Sequence, residues 1–192
     1  GELTSLLSGY NGLLQSDGYG AYERYGRSDE VTWIGCWAHA RRKFHDALEH
    51  HPREAGLVLA LIAWLYAAEK HYREQRLDPE TRQQHRRNEH PRILKWLRIT
   101  IRLCAHRCLP KSSLGKACAY TLKLWEPLCE YLHHGQVEID NNLVENAIRP
   151  SALGKKNWLF IGSPHAGERS AIIYSLAISC QRHGIDPHAY LK

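Results

Sequence analysis

The sequence predicts an α/β chain that is mostly helical, with strands in its first fifty residues, and three observations carry that prediction. Val31-Thr32-Trp33-Ile34-Gly35 is β-branched and aromatic enough for a buried strand. From Trp37 the hydrophobic period lengthens, so that Trp37, Ala40, Phe44, Ala47 and Leu48 fall on one helical face. From Pro52 to about His134 every pattern is helical, a block set between two mixed segments.

Taken in order, Glu2 to Leu7 has the pattern of a helix tail and Ser8 to Gly12 that of a turn. The apolar pair Leu13-Leu14 makes a short first strand, followed by Gln15-Ser16-Asp17-Gly18 and an aromatic stretch from Tyr19 to Tyr25. The first fifty residues therefore run strand, helix, strand, helix. The helical block divides into Ala55 to Gln75, Pro79 to Cys108 with Pro91 as a candidate break, and Ser112 to His133 after a turn at Pro110. Val137 to Ile139 leads into Asp140-Asn141-Asn142, a helix start, and Pro150 limits the helix that follows. Asn157 to Ile161 reads as a strand or an ordered loop, and Ala166 to His183 as a long helix closed by Gly184.

At 192 residues, 43% hydrophobic and 24% charged, the chain can bury a sizeable core, which argues against global disorder. A formal charge of +6, with thirteen histidines that add positive charge on acidification, favours a polyanionic partner. Six scattered cysteines lack the density of a secreted disulfide scaffold and read as reduced thiols of a cytosolic chain. The most apolar run, Ala55 to Ala68, is followed at once by Glu69 and Lys70; it is too short to span a bilayer and reads as a buried helix. No basic, apolar leader opens the sequence.

Two carboxylates stand out. Asp17 follows an apolar strand, where it can project from a sheet edge toward a metal ion, although Asp-Gly is also a common turn pair. Glu145 lies in the run Ile139 to Pro150, where Asn142 three residues earlier offers a capping box and Arg149 four residues later an ion pair. Magnesium takes oxygen ligands and keeps several waters, so one or two protein carboxylates per ion suffice. Cys36-Trp37-Ala38-His39 has a C-x-x-H spacing, but the other candidates, Cys104, His106, Cys108 and Cys118, do not complete a standard zinc pattern. Arg41, Arg42 and Lys43 are phosphate-contact candidates, but a charge run on a helix is more often simply solvated. Beyond Glu145 six Lys or Arg face two acids, and Lys155-Lys156-Asn157-Trp158 sets an aromatic ring beside two cations, which suits phosphate contact and base stacking. Packing of Trp158, Leu159 and Phe160 into the core is the competing expectation.

Four strings in order, Leu14 to Tyr19, Gly35 to Phe44, Asp140 to Pro150 and Gly154 to Phe160, closely resemble the transposase of the insertion-sequence family numbered sixty-six. The closing Gly184 to Leu191 resembles that family's C-terminal segment. The resemblance implies an incomplete ribonuclease-H-like fold with a large α-helical insertion: residues 1–50 as the first part of the core, truncated at its N-terminus, 51–135 as the insertion, and 136–192 as the last part of the core. It implies that Asp17 and Glu145 are catalytic and ligate Mg2+ or Mn2+, and that Arg149, Lys155 and Lys156 contact DNA. Cys36 and His39 would be structural support and not metal ligands. The implied activity of the intact protein is metal-dependent DNA strand cleavage and strand transfer on transposon ends and target. The partners are then DNA and further copies of the chain in a homo-oligomer, with no membrane, in the bacterial cytoplasm at the nucleoid. The family's first catalytic aspartate is not in this sequence, so the chain alone is expected to be inactive. Two alternatives stay open: a non-catalytic DNA-binding or interaction remnant, and another ribonuclease-H-like nuclease.

Overall fold

A computed structural model of the chain describes residues 7–25 and 30–192. Strand β1 (Gly12–Ser16), helix α1 (Gly20–Tyr25), strand β2 (Val31–Gly35) and helix α2 (Trp37–Asp46) follow the expected order. The strands pair in parallel, with Gly12 opposite Val31 and Ser16 opposite Gly35. A parallel pair needs a crossover rather than a hairpin, and α1 lies in that connection. The helix tail expected at Glu2 to Leu7 falls largely outside the described residues.

The block that follows is helical, as its periodicity requires: α3 (Pro52–Glu74), α4 (Pro79–Arg107), α5 (Ser113–Lys123) and α6 (Trp125–Glu130), then one 3-10 turn at Tyr131–His133. Helix starts are set by local chemistry. Pro52 and Pro79 occupy first-turn positions where a missing N–H is harmless, and the Asp78 carboxylate accepts the backbone N–H groups of Glu80 and Thr81, each at 3.0 Å. Ser112 does the same for Gly115 at 3.0 Å. Pro91 does not break α4; it is exposed on a helix whose opposite stripe, Arg86, His90, Leu94 and Leu97, is buried, and that packing carries the helix past the lost amide.

One core joins the sheet to the helices. Ile34 of β2 and Trp37, Ala40 and Phe44 of α2 meet Val58, Ile62 and Leu65 of α3, Leu97 and Ile101 of α4, Leu114 of α5 and Leu128 of α6. Each large aliphatic or aromatic side chain buried here contributes roughly 1.5–3 kcal/mol. Trp37 also donates its indole N–H to the Leu128 carbonyl at 2.7 Å and meets the Trp125 ring edge-to-face at 6.1 Å. The six cysteines are free thiols, and burial pushes those of Cys118 and Cys129 up to about 12.

The chain divides into two compact units, residues 1–141 and 142–192. The second contains α7 (Asn142–Trp158), α8 (Pro164–Arg182) and α9 (Pro187–Tyr190). One expectation is corrected here, because Pro150 does not limit α7, which continues to Trp158; of the strand and loop alternatives for Asn157 to Ile161, loop holds for the last three residues, while the first two end α7. Gly184, at φ +67°, follows the end of α8 as its position predicts. Among the described residues, no helix is long and apolar enough to cross a membrane. The described residues are mostly helical, with a two-stranded parallel sheet in the first unit.

Candidate functional site

Asp17 is the first residue beyond the carboxyl end of β1 and is half-buried. Its Oδ1 accepts the Tyr19 N–H at 3.0 Å, so the turn chemistry of an Asp-Gly pair is realised. Gly18 sits at φ +81°, and a Cβ there would come within 2.5 Å of Leu124 Cδ1, so both the backbone angle and the close approach demand glycine. The Tyr120 hydroxyl donates to the Asp17 carbonyl, pinning the backbone from α5. Among the described residues Oδ2 of Asp17 has no hydrogen-bond partner. One carboxylate oxygen therefore shapes the turn while the other remains available to a hard cation.

Residues 137–141, which end the first unit and lead into α7, are held one after another by other residues of that unit. The Val137 carbonyl accepts from Arg86 at 2.9 Å and the Glu138 carbonyl from the Gln15 side chain of β1 at 2.8 Å. The Ile139 carbonyl accepts the Trp37 N–H at 3.2 Å. Asp140 Oδ2 accepts the Tyr66 hydroxyl at 2.8 Å, and Asn141 Oδ1 accepts the Cys36 thiol at 2.9 Å. Burial, reinforced by the Asp140 charge, holds the Tyr66 hydroxyl far above its ordinary pKa. Burial likewise raises the Cys36 thiol, so both groups stay protonated and serve as donors. His39 Nδ1 lies 3.2 Å from Cys36 Sγ; with the thiol hydrogen directed at Asn141, the ring meets sulfur through its N–H. The C-x-x-H element thus joins the start of α2 to Asn141. Its partner Asn141 and the adjacent Tyr66–Asp140 pair were not singled out by side-chain chemistry in the sequence, although Asp140 and Asn141 lie in a motif that was.

Glu145 lies in the first turn of α7 and is half-buried. Arg149, Lys155 and Lys156 share that helix and are exposed. The core expectation for the residues after them is overturned: Trp158 is 52% exposed, Leu159 72% and Phe160 85%. Trp158 instead folds back over Gly154, where a Cβ would come within 2.7 Å of its ring, and with Leu159 and Phe160 lines a groove of about 650 Å³ between α7 and α8, rimmed by Lys155 and Arg182. Asp17 belongs to the first unit, and Glu145 with the three cations to the second. Among the described residues no three His, Cys, Asp or Glu side chains are grouped to hold an ion by themselves. On α2, Arg41, Arg42 and Lys43 are exposed, and Lys43 Nζ rests 4.5 Å from the centre of the Tyr120 ring.

The model of the family described as Transposase IS66 family matches residues 2–169. The chain belongs to the IS66 family of transposases. It is 34% identical over 197 residues to the uncharacterized protein y4jD of Sinorhizobium fredii, covering 99% of this chain and 38% of that protein. It is 33% identical to y4qI of the same organism, covering 97% and 36%, and 30% identical to y4hP, covering 96% and 36%. The chain therefore spans little more than a third of the curated relatives it matches. No solved structure matches it. The match includes all the IS66-like strings that contain Asp17, Cys36, His39, Glu145, Arg149, Lys155 and Lys156.

Proposed function

We propose that this chain supplies two carboxylates, Asp17 and Glu145, to a Mg2+ or Mn2+ site of a DNA transposase catalytic domain of ribonuclease-H-like fold. The intact protein would cleave DNA strands at transposon ends and transfer them to target DNA. The observation that carries this reading is the place of Asp17: half-buried, immediately beyond the carboxyl end of a parallel strand, with one carboxylate oxygen that has no hydrogen-bond partner among the described residues. In open α/β sheets ligands bind outside that end of the strands.

The donor set suits a hard divalent cation, because carboxylate oxygens with water and phosphate oxygens complete its coordination without nitrogen or sulfur. Bound there, such ions would activate the attacking oxygen and stabilise the leaving one in phosphodiester chemistry. The chain's own residues do the rest. Asp17 and Glu145 hold negative charge where the cations sit, while Arg149, Lys155 and Lys156 neutralise and orient the DNA backbone. Cys36 and His39 support the approach to α7 through Asn141. Two carboxylates are fewer than a self-sufficient cluster, so a further acidic ligand from the intact protein is part of this reading.

The test is strand cleavage and strand transfer by the full-length protein on end-containing DNA with Mg2+ or Mn2+. Asp17→Asn and Glu145→Gln should each lower the rate by at least about a hundredfold, as loss of an electrostatic transition-state contact does. Full activity in either variant removes the carboxylate assignment. Joined target DNA distinguishes transposition from the action of a ribonuclease-H-like nuclease, which stops at cleavage.

A further inference from the structure

Among the described residues, the buried charges Glu69, Arg82 and Arg86 form a group that includes neither Asp17 nor Glu145. Glu69 of α3 and Arg86 of α4 are both fully buried. Arg86 donates from Nε to Glu69 Oε1 at 2.7 Å and from Nη2 to Glu69 Oε2 at 2.8 Å. Its remaining bonds leave the pair: Nη1 donates to the carbonyls of Tyr131 at 3.1 Å and His134 at 2.8 Å, and Nη2 to that of Val137 at 2.9 Å. Five bonds match the five N–H donors of a guanidinium, in a fork that a lysine cannot reproduce. Arg82 extends the network from Glu69, at 3.0 Å, to both oxygens of Glu138, at 2.8 Å.

A buried ion pair is a poor way to add stability, because desolvation of both partners offsets most of the attraction. What this one does that an apolar pair could not is seize three carbonyls along one short stretch of chain. That stretch continues into residues 138–141, held in turn by Gln15, Trp37, Tyr66 and Cys36. Four residues beyond it stands Glu145.

We infer that Arg86, oriented by Glu69, is a positioning residue: the helical block fixes, through the carbonyls of residues 131–137 and the Tyr66–Asp140 bond, the point from which the Glu145 helix leaves the first unit. The inference rests on the catalytic reading of Glu145 for its functional half and on the hydrogen bonds alone for its structural half. The helical block then acts on the reaction by fixing residues 131–141, the stretch that leads to Glu145, rather than by touching DNA or metal.

The test has two arms. In this chain, amide hydrogen exchange is compared among wild type, Arg86→Lys, which keeps the buried charge but loses the fork, and Tyr66→Phe, a milder change should the first variant fail to fold. Protection of residues 137–145 should fall at least tenfold while that of α2 and α5 is retained. In the full-length protein, the same variants should lower kcat about tenfold and raise the Mn2+ concentration for half-maximal cleavage, with KM for DNA unchanged. Unchanged exchange at 137–145 in folded Tyr66→Phe overturns the inference. So does a loosened segment with wild-type kcat and Mn2+ requirement. Wild-type protein that never cleaves DNA overturns the functional reading instead, and is recognised because the exchange arm still gives its expected result.

Discussion

His90 shows how far burial outweighs local sequence at the scale of one residue. It is fully buried on α4, with Nδ1 2.7 Å from the Tyr131 hydroxyl and Nε2 3.4 Å from that of Tyr72 in α3. Burial lowers its pKa to about 4; the Glu69 and Glu89 carboxylates oppose that shift and Arg86 adds to it. Because the unfolded value is 6.5, the unfolded chain binds more protons between these limits. Stability is thus full above about pH 6.5 and declines as pH falls toward 4, by up to about 3 kcal/mol. Burial raises the pKa of Glu69, but the hydrogen bonds and charge of Arg86 and the charge of Arg82 outweigh it and hold the carboxyl low, so its contribution is lost only at still lower pH. The urea midpoint should therefore drop between pH 7 and pH 5, and His90→Gln, which keeps a polar side chain but does not titrate, should flatten that dependence. A wild-type midpoint that is constant over this range would sink the argument. Nothing in the thirteen histidines of the sequence marks this one out; its identity follows from the stripe Arg82, Arg86, His90, Leu94 on one face of α4.

Among the elements, α7 departs furthest from what its sequence predicts. Pro150 interrupts its amide ladder, yet the helix runs on to Trp158 and ends at Leu159, which has φ +60°. Leu159 donates its N–H to the Lys155 carbonyl at 3.0 Å, in the manner of the left-handed residue that follows many helices, a position usually given to glycine. A leucine there is strained by roughly 1–2 kcal/mol, and its side chain is too exposed to recover that through packing. Leu159→Gly should stabilise the last turn of α7 by about 1 kcal/mol, read as slower amide exchange at residues 155–159. Faster exchange there would show that the leucine side chain, and not the backbone, holds the turn. The helical block, by contrast, was legible in extent, because its apolar positions (Ala55, Val58, Ile62, Leu65) carry a period that only a helix satisfies. The same stripe runs on to Glu69 and Tyr72, the one sign in the sequence that a carboxylate would be buried.

For the whole molecule, the second unit combines a basic helix with extensive exposed apolar surface: Leu143, Val144, Leu153, Ile172 and Ile173 are each more than half exposed, besides the groove residues. Patches of that kind mark interaction surfaces. Its cations make a quantitative prediction for DNA binding. If Arg149, Lys155 and Lys156 each neutralise one phosphate, replacing all three by alanine should reduce the slope of log K against log salt by about 2.7. An unchanged slope assigns the phosphate contacts to other residues. By itself the sequence determined the order of strands and helices, the extent of the helical block, the membership in a transposase family and the residues expected to do chemistry, because periodicity, capping and short motifs are properties of neighbouring residues. Tertiary structure alone decided that Trp158 and Phe160 face outward, that Pro91 and Pro150 are carried within helices, that Cys36 meets Asn141, and that Arg86 grips residues 131–137. Those outcomes turn on which distant groups supply burial or hydrogen-bond partners, a quantity that no local pattern contains.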